Sequence, residues 1–355
     1  MNILSKISVR YHMLKMAECF SSSSVYACPP IYILSQISNL AKCFEESALP
    51  GIQIRSIDIS DVSPKNPVLD EEKINAVKNT EIAVCDGPLL AKIYKHMPDL
   101  KWAHCTWAGI DSLIKEIPEE PKFTITRHNG EAFCSIMAEY VVCHILNNER
   151  QTKQCWKNQE SKIWLQEGKI GNYRTLDELT VSILGAGNMA FEIAKFLKSR
   201  GTTVFGFAKN PRPSTEFGWF DKITTELNDI LPDCDYLCNT LPNTPLTCGI
   251  LNVSVLEKCK KKPVFINVGR GNIIPENDLV QALKTGCLSG AVLDVFETEP
   301  LPESSLLWDM PQVTITPHVA AISRPEDVAD EFFKQFLSYT DGHGLKNVVK
   351  WFAGY

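Results

Sequence analysis

The feature that most constrains the fold is a glycine-rich turn between a short apolar run and a helical segment. The run Val181-Ser182-Ile183-Leu184 leads into Gly185-Ala186-Gly187-Asn188-Met189-Ala190, and helical sequence follows to about residue 199. In a strand–turn–helix unit, the first glycine permits the tight turn and the second lets the backbone approach a pyrophosphate at the positive helix end. The turn therefore predicts a parallel α/β sheet that binds a dinucleotide.

Short β-rich runs alternate with helical segments along the whole chain, which predicts parallel strands joined by right-handed crossovers. The alternation occurs once from residue 25 and again from residue 180, and 355 residues are enough for two domains. We predict two Rossmann-like or flavodoxin-like domains with the active site in the cleft between them. The substrate domain is predicted to comprise residues 24–126 and 319–355, and the nucleotide-binding domain residues 127–318.

The element boundaries follow from the same apolar patterns. A long helix is predicted over 131–154, and a closing helix over 326–339 that can return to the first domain. The predicted strands are 25–27, 52–57, 81–85, 100–106 and 123–126 in the first series, and 180–184, 203–207, 236–240, 264–268, 290–293 and 313–315 in the second.

Composition excludes several classes of protein. The net charge of -6, with acidic and basic residues interspersed, leaves no extended positive surface for nucleic acid. The thirteen cysteines are scattered, without zinc spacing, so we expect a reducing compartment and no metal. No apolar run has membrane-spanning length, and we predict a cytoplasmic protein.

Residues 1–23 leave localisation open. They contain three basic residues and no acidic residue before Glu18, as in a transit peptide for mitochondrial import. A disordered leader, or translation that starts at Met13 or Met16, also fits this composition. Import and processing therefore stay open at this point.

The end of the second nucleotide-domain strand bears on the choice of cofactor. It reads Phe207-Ala208-Lys209-Asn210-Pro211-Arg212, without the acid near position 208 that commonly binds the ribose hydroxyls of NAD. The missing carboxylate removes repulsion against a 2′-phosphate, and Lys209 and Arg212 can pair with one. NADP(H) is therefore favoured, and NAD(H) remains the alternative if both cations are only solvated.

Three clusters farther along supply a cation, a carboxylate and an imidazole. Arg270, between two glycines at a strand end, stays protonated and suits a carboxylate or a polarised carbonyl. Glu299 can hold His318 in one tautomer and favour its charged form, so that the imidazolium protonates a keto oxygen. A surface arginine, a solvated acid and a partly buried histidine are the structural alternatives when each is considered alone.

Taken in order, these motifs resemble the D-isomer-specific 2-hydroxyacid dehydrogenase family, from about residue 25 to residue 355. The resemblance implies that Arg270 binds substrate, that Glu299 is the partner of the histidine and that His318 is the acid/base. The 29-residue step from 270 to 299 matches the step in the family, and this match implies that Glu299 is the partner of the histidine. Glu297 is then a solvated neighbour. The matching stretches are 176–190, 239–245, 265–271, 291–301 and 314–321.

The resemblance also implies further binding groups and a homodimer. The N–H groups of Ala108 and Gly109 are expected to bind the substrate carboxylate, because small residues allow close approach and successive amides form an anion nest. Asp294 is expected to bind the nicotinamide carboxamide. The complete predicted cofactor site is Gly185, Gly187, Asn188, Met189, Lys209, Arg212, Leu241, Pro242, Thr247, Val268 and Asp294.

Within the family, the chain is most similar to the glyoxylate/hydroxypyruvate reductase A branch, through Arg127 with Gly130, residues 137–140 and residues 347–355. We therefore predict an NADPH-preferring reductase of small 2-keto acids that forms D-2-hydroxy acids. Arg127 is either a second cation for the substrate or part of a structural salt bridge. The alternatives for function are an NAD-dependent dehydrogenase with another substrate, and a dinucleotide-sensing, corepressor-like scaffold with little turnover.

Overall fold

The computed structural model describes residues 28–63, 66–213 and 218–354, so residues 1–23 and the strand predicted at 25–27 lie outside it. The chain divides into two compact units. The first unit runs to Phe133 and resumes at Ser323, and the second is Cys134–Ile322. Residues 127–133, expected in the nucleotide-binding domain, thus belong to the first unit, and residues 319–322 belong to the second.

The first unit contains a parallel five-stranded sheet with the order β2-β1-β3-β4-β5. This is the flavodoxin-like order, in which ligands bind beyond the carboxyl ends of the strands near β1 and β3, where the order reverses. The strands are β1 (Ile31–Leu34), β2 (Ile54–Ser56), β3 (Ile82–Cys85), β4 (Trp102–Cys105) and β5 (Thr124–Arg127).

The second unit contains a parallel seven-stranded sheet with the order β12-β11-β10-β9-β6-β7-β8. The order reverses between β6 and β9, so the carboxyl ends of these two strands are where a dinucleotide is expected. Both sheets confirm the predicted fold class. The strands are β6 (Thr180–Leu184), β7 (Thr203–Phe207), β8 (Lys222–Thr224), β9 (Tyr236–Asn239), β10 (Val264–Asn267), β11 (Gly290–Leu293) and β12 (Val313–Ile315).

Helices join the strands in both units. None of the helices in the described part of the chain has both the length and the apolar character needed to cross a bilayer. The α-helices are α1 (Leu40–Ser47), α2 (Glu71–Val77), α3 (Gly87–Ile93), α4 (Asp111–Glu116), α5 (Glu131–Glu149), α6 (Thr152–Glu160), α7 (Asn188–Lys198), α8 (Val253–Leu256), α9 (Glu276–Thr285) and α10 (Pro325–Thr340).

Both faces of the first sheet are covered, which explains why its strands have continuous apolar sequences. Ile31 and Ile33 of β1 pack in the cluster that contains Phe332 of α10, whereas Tyr32 and Leu34 pack in the cluster on the other face. A strand that is buried on both faces has no polar side to mark it in the sequence. α10, predicted at 326–339, thus completes the core of the first unit.

The helix predicted over 131–154 is interrupted. α5 ends at Glu149, Gln151 takes a left-handed conformation with φ 51°, and α6 begins at Thr152. The Gln151 side chain donates to Asn148 O at 2.6 Å. The sequence has neither glycine nor proline at this point, so the apolar periodicity continued through the break without a local signal.

Residues 150–173, which we call the arm, belong to the second unit and link α5 to Arg174. The Arg174 guanidinium donates to Glu149 Oε1 at 2.7 Å and to Asp235 Oδ1 at 2.5 Å. Both carboxylates are buried, so this charged network fixes the base of the arm to the body of the second unit.

Candidate active site

The glycine turn of the second unit has the conformation that a dinucleotide loop requires. Gly185 has φ 120°, and a Cβ there would lie 2.3 Å from Thr240 Oγ1, so only glycine fits. Gly187 precedes α7, whose first amides have no partner within the helix. The turn lies after β6, next to the end of β9, and its geometry fits a pyrophosphate at a helix N-terminus.

The two cations expected to bind a 2′-phosphate follow β7 and are exposed. Arg212 Nη1 donates to Ala186 O of the glycine turn at 3.1 Å, which places the guanidinium beside the nucleotide loop. Ala208, where an NAD site would carry its acid, is buried. The charge at this strand end is therefore positive, although the 2′-phosphate contact itself stays a prediction.

The residues expected to form the cofactor wall lie after β9 and β10. Leu241 N donates to Asn239 Oδ1 at 3.0 Å, and Thr247 Oγ1 donates to Pro242 O at 2.6 Å, so this segment is internally bonded. Val268 is buried directly after β10. These residues belong to the same sheet edge as the glycine turn, and their contacts with a cofactor stay predictions.

Arg270 is held between two loops of the second unit, and this explains the glycine on each side of it. A Cβ on Gly269 would lie 2.7 Å from Leu241 O, and a Cβ on Gly271 would lie 1.8 Å from Phe296 C. The Arg270 guanidinium donates through Nη1 to Gly269 O at 2.7 Å. A fixed, half-buried cation thus follows β10 at the carboxyl edge of the sheet.

Glu299 and His318 are in direct contact. His318 Nδ1 lies 2.8 Å from Glu299 Oε2, and Phe296 N–H donates to Glu299 Oε1 at 2.9 Å. The hydrogen bond to Glu299 raises the pKa of His318, although partial burial and the charge of Arg270 oppose this. Burial raises the pKa of Glu299, but its hydrogen bonds outweigh burial and the pKa is lowered. The pair therefore favours a charged imidazole beside an ionised carboxylate.

The loop that carries His318 depends on Asp294, which is 2 % exposed. Asp294 Oδ1 accepts hydrogen bonds from Thr316 Oγ1 at 2.6 Å and from Val319 N at 2.8 Å, and Oδ2 accepts one from Ala320 N at 2.9 Å. His318 has φ 57°, a left-handed conformation that a side chain with a Cβ adopts only when its surroundings enforce it. Asp294 therefore holds the histidine loop, and its predicted nicotinamide contact stays a prediction.

Two residues that extend this network were not assigned a role from the sequence. Tyr140 of α5 lies with its hydroxyl 2.6 Å from Thr316 Oγ1, and burial raises the pKa of Tyr140 to about 12. In the sequence, Tyr140 is marked only as part of the stretch 137–140, which resembles the reductase branch. Thr316 stands two residues before the histidine, and that proximity was the available signal.

In the first unit, the loop Thr106–Ile110 between β4 and α4 contains the two residues that are expected to form the carboxylate nest. Ala108 and Gly109 are half-buried, and their N–H groups have no hydrogen-bond acceptor among the residues that the structure describes. Arg127 Nη1 donates to Ala108 O at 3.1 Å. The two amides are therefore available to an anion, and Arg127 contacts the loop that carries them.

The structure thus groups the predicted residues within each unit. Arg270, Glu299 and His318 lie with the cofactor residues in the second unit, and Ala108, Gly109 and Arg127 lie in the first. Among the described residues, no three His, Cys, Asp or Glu side chains form a group that would hold a metal ion. Arg270, Glu299 and His318 can bind an anion and exchange a proton, which are two of the operations that carbonyl reduction requires besides hydride transfer.

A sequence profile of the family described as D-isomer specific 2-hydroxyacid dehydrogenase, NAD binding domain, matches residues 142–320. Solved structures agree with this match over about nine tenths of the chain. A D-isomer specific 2-hydroxyacid dehydrogenase family protein from Aeromonas salmonicida is 30% identical, with a TM-score of 0.77, and the match covers 91% of this chain and 99% of that one.

Two further structures were solved with a bound cofactor. The NADPH-dependent glyoxylate/hydroxypyruvate reductase from Sinorhizobium meliloti, in complex with NADP and sulfate, is 28% identical with a TM-score of 0.76, covering 92% of this chain and 100% of that one. A D-isomer specific 2-hydroxyacid dehydrogenase from Xanthobacter autotrophicus, in complex with NADPH and MES, is 26% identical with a TM-score of 0.77, covering 93% and 100%.

Replacing Glu299 with glutamine is expected to lower the pKa of His318, because the charge and the hydrogen bond that raise it are weakened. In the wild type, His318 then stays protonated to a higher pH than in the variant. An NMR titration of the imidazole resonances measures the difference. Glu297→Gln is the matched control, because Glu297 accepts from Glu276 N at 3.3 Å instead. An unchanged His318 titration in Glu299→Gln would contradict the assignment.

Proposed function

The chain belongs to the D-isomer specific 2-hydroxyacid dehydrogenase family, as its motifs predict, and on that basis we propose that it is an NADPH-preferring reductase. Its substrates are small 2-keto acids of the glyoxylate and hydroxypyruvate type, and its products with a stereocentre are D-2-hydroxy acids. The observation that carries the proposal is the 2.8 Å contact between His318 Nδ1 and Glu299 Oε2. Since Nδ1 is engaged, Nε2 is left to exchange a proton with a substrate.

His318 is the general acid of the proposed reaction. The raised pKa keeps its imidazole protonated nearer to neutral pH, and Nε2–H donates to the keto oxygen as that oxygen gains negative charge. Glu299 remains ionised because its pKa is lowered, and it stabilises the imidazolium. A bound reduced nicotinamide supplies the hydride. In the oxidative direction, neutral His318 removes the hydroxyl proton.

Arg270 and the nest amides orient the substrate in this proposal. The guanidinium binds the carboxylate or polarises the carbonyl, and its position is fixed by the close approach of Leu241 and Phe296 to the flanking glycines. The Ala108 and Gly109 N–H groups bind the carboxylate. Fixed donors of this kind reduce the entropy that is lost on reaching the reactive geometry.

The choice of substrate class has a second line of support. The Sinorhizobium meliloti relative is named as a glyoxylate/hydroxypyruvate reductase, and it matches this chain over nearly its full length at 28% identity. Arg270, Glu299 and His318, which supply the cation, the carboxylate and the imidazole that the proposed reaction uses, are present in this chain. Glyoxylate and hydroxypyruvate are therefore the first substrates to test, with pyruvate and phenylpyruvate as larger comparisons.

The variant His318→Gln is expected to lose roughly 10²- to 10⁴-fold in kcat, because glutamine cannot donate the proton. Steady-state oxidation of NADPH with glyoxylate or hydroxypyruvate measures this loss, and Glu297→Gln serves as the control that should retain the wild-type rate. A wild type that turns over neither keto acid, or a His318→Gln variant at full rate, would reject the proposal. Dinucleotide binding without turnover on any keto acid would instead favour the scaffold alternative.

We also propose that Lys209 and Arg212 select NADPH by binding its 2′-phosphate. The double variant Lys209→Gln with Arg212→Gln is expected to raise KM for NADPH roughly tenfold or more, since two charge-assisted hydrogen bonds are lost. KM for NADH, which lacks this phosphate, should stay nearly constant. The matched control is Lys284→Gln on α9. Equal changes in both KM values would show that the cations support the loop without reading the phosphate.

We propose further that the arm of residues 150–173 forms a homodimer interface. It exposes five large apolar side chains within one stretch of the chain, and exposed apolar surface is the kind that protein interfaces bury. Trp164 is 90% exposed and Trp156 is 63% exposed. The remaining three are Ile163, Leu165 and Tyr173.

Replacing both Ile163 and Trp164 with serine is expected to convert a dimer into a monomer, because burial of these side chains would stabilise the interface. Sedimentation equilibrium measures the mass of each variant. Phe352→Ser is the control. Phe352 is 91% exposed, which matches the 90% exposure of Trp164, but it belongs to the first unit. A monomeric wild type, or a double variant that still dimerises with wild-type affinity, would exclude the arm as the interface.

A further inference from the structure

Both ends of the Thr106–Ile110 loop are fixed within the first unit. Thr106 Oγ1 donates to Asp86 Oδ1 at 2.6 Å, and Thr106 O accepts from Ser323 Oγ at 2.7 Å. At the other end, Ile110 is buried and its carbonyl accepts from Ile114 N at 3.1 Å as α4 begins. The orientation of the intervening peptides then depends on what contacts the middle of the loop.

Asp86 ties the first end of the loop to the switch point of the sheet. Its Oδ1 also accepts from Ser35 Oγ at 2.6 Å, and its Oδ2 accepts from Gln36 N at 2.8 Å. Asp86 follows β3 and Ser35 follows β1, so one buried carboxylate joins three strand ends. The loop is therefore attached to a rigid base. On such a base, a single hydrogen bond can fix the direction of a peptide group in the loop.

Arg127 makes a contact in the middle of the loop. It is the last residue of β5 and pairs in register with Cys105 of β4, so its side chain starts beside the strand from which the loop departs. Its own backbone is fixed on the opposite edge, where Arg127 N donates to Asn347 O at 3.2 Å. From this anchored position, Nη1 donates to Ala108 O.

The carbonyl that Arg127 binds belongs to the same peptide group as the N–H of Gly109. In a trans peptide the C=O and the N–H point in opposite directions, and the described cis bond lies elsewhere, at Glu299-Pro300. A hydrogen bond that fixes Ala108 O on one side therefore fixes the direction of the Gly109 N–H on the other. A cationic donor on the carbonyl also polarises the peptide and strengthens its N–H as a donor.

We infer that Arg127 is a positioning residue, which directs the Gly109 N–H toward the substrate carboxylate and does not itself bind the substrate. This inference rests on the proposed function, because it takes the Ala108 and Gly109 amides as the carboxylate nest. It differs from the role of a second substrate cation, and it does not depend on whether Arg127 also forms a salt bridge. The guanidinium instead acts through a backbone carbonyl.

The planar guanidinium suits this role better than an ammonium would. Its N–H groups have a fixed geometry, so a bond to Ala108 O constrains the peptide in direction as well as in distance. Arg127→Lys keeps the charge but loses the planar set of N–H donors. Arg127→Met keeps much of the apolar stem and removes the donor. The two variants therefore separate the charge from the geometry.

The first measurement is steady-state kinetics with NADPH and glyoxylate. A nest amide binds the carboxylate in both the ground state and the transition state, so Arg127→Met should raise KM roughly tenfold while kcat changes by about twofold or less. Arg127→Lys should fall between this variant and the wild type. Arg55→Met is the matched control in the same unit, since Arg55 contacts Tyr32 on β1 and should leave KM unchanged. A wild-type KM in Arg127→Met would overturn the inference.

The second measurement separates positioning from direct binding. It uses NMR of full-length protein labelled with ¹⁵N-glycine, with the Gly109 resonance assigned through Gly109→Ala and oxalate as the carboxylate probe. We expect Arg127→Met to shift the Gly109 amide resonance before oxalate is added, and to abolish the change that oxalate causes in the wild type. Arg55→Met should behave as the wild type does.

The outcomes divide cleanly. If Gly109 keeps its wild-type resonance and its response to oxalate in Arg127→Met while KM rises, Arg127 binds the substrate directly and the positioning role is wrong. If oxalate leaves Gly109 unmoved in the wild type, the nest does not bind carboxylate and the inference fails with it. A wild type without turnover whose Gly109 still responds to oxalate would instead count against the proposed reaction alone.

Discussion

The buried carboxylate of Asp294 is the interaction on which the candidate site depends most. It accepts hydrogen bonds from Thr316, Val319 and Ala320, and so encloses a histidine whose backbone lies in the left-handed region. Without those bonds, we expect the His318 backbone to relax to negative φ and the imidazole ring to turn away from Glu299. The proposed pair of His318 and Glu299 thus depends on the Asp294 carboxylate, which need not contact the substrate itself.

In both units, a buried aspartate carboxylate accepts hydrogen bonds from loops at the carboxyl edge of the sheet. In the second unit, Asp294 follows β11 and holds the loop after β12. In the first, Asp86 follows β3 and holds the ends of β1 and β4 through Ser35 and Thr106. Parallel sheets bring several strand ends to one edge, and a buried carboxylate can satisfy the N–H and O–H donors that collect there. The loops that follow these strands are thereby attached to the sheets.

The sequence predicted the fold class and most of the strands, because these have local signatures, but it placed no strand at β1 (Ile31–Leu34). β6, β7, β11 and β12 end where the apolar runs end, and the glycine turn lies between β6 and α7. The break at Gln151 and the three-residue strand β8 escaped prediction because tertiary contacts set them. The contact of Arg127 with Ala108 O was not predicted for another reason. Every residue has a backbone carbonyl, so the sequence carries no signal for which one an arginine side chain will bind.

The central claim is that His318 Nε2 exchanges the proton with the ligand while Nδ1 is held by Glu299. A crystal structure of the protein with NADP and oxalate tests it most directly. We expect an oxalate oxygen within about 3.2 Å of His318 Nε2, with Nδ1 still bonded to Glu299 Oε2. Oxalate bound away from the imidazole, or a histidine rotated off Glu299 in the complex, would contradict the account.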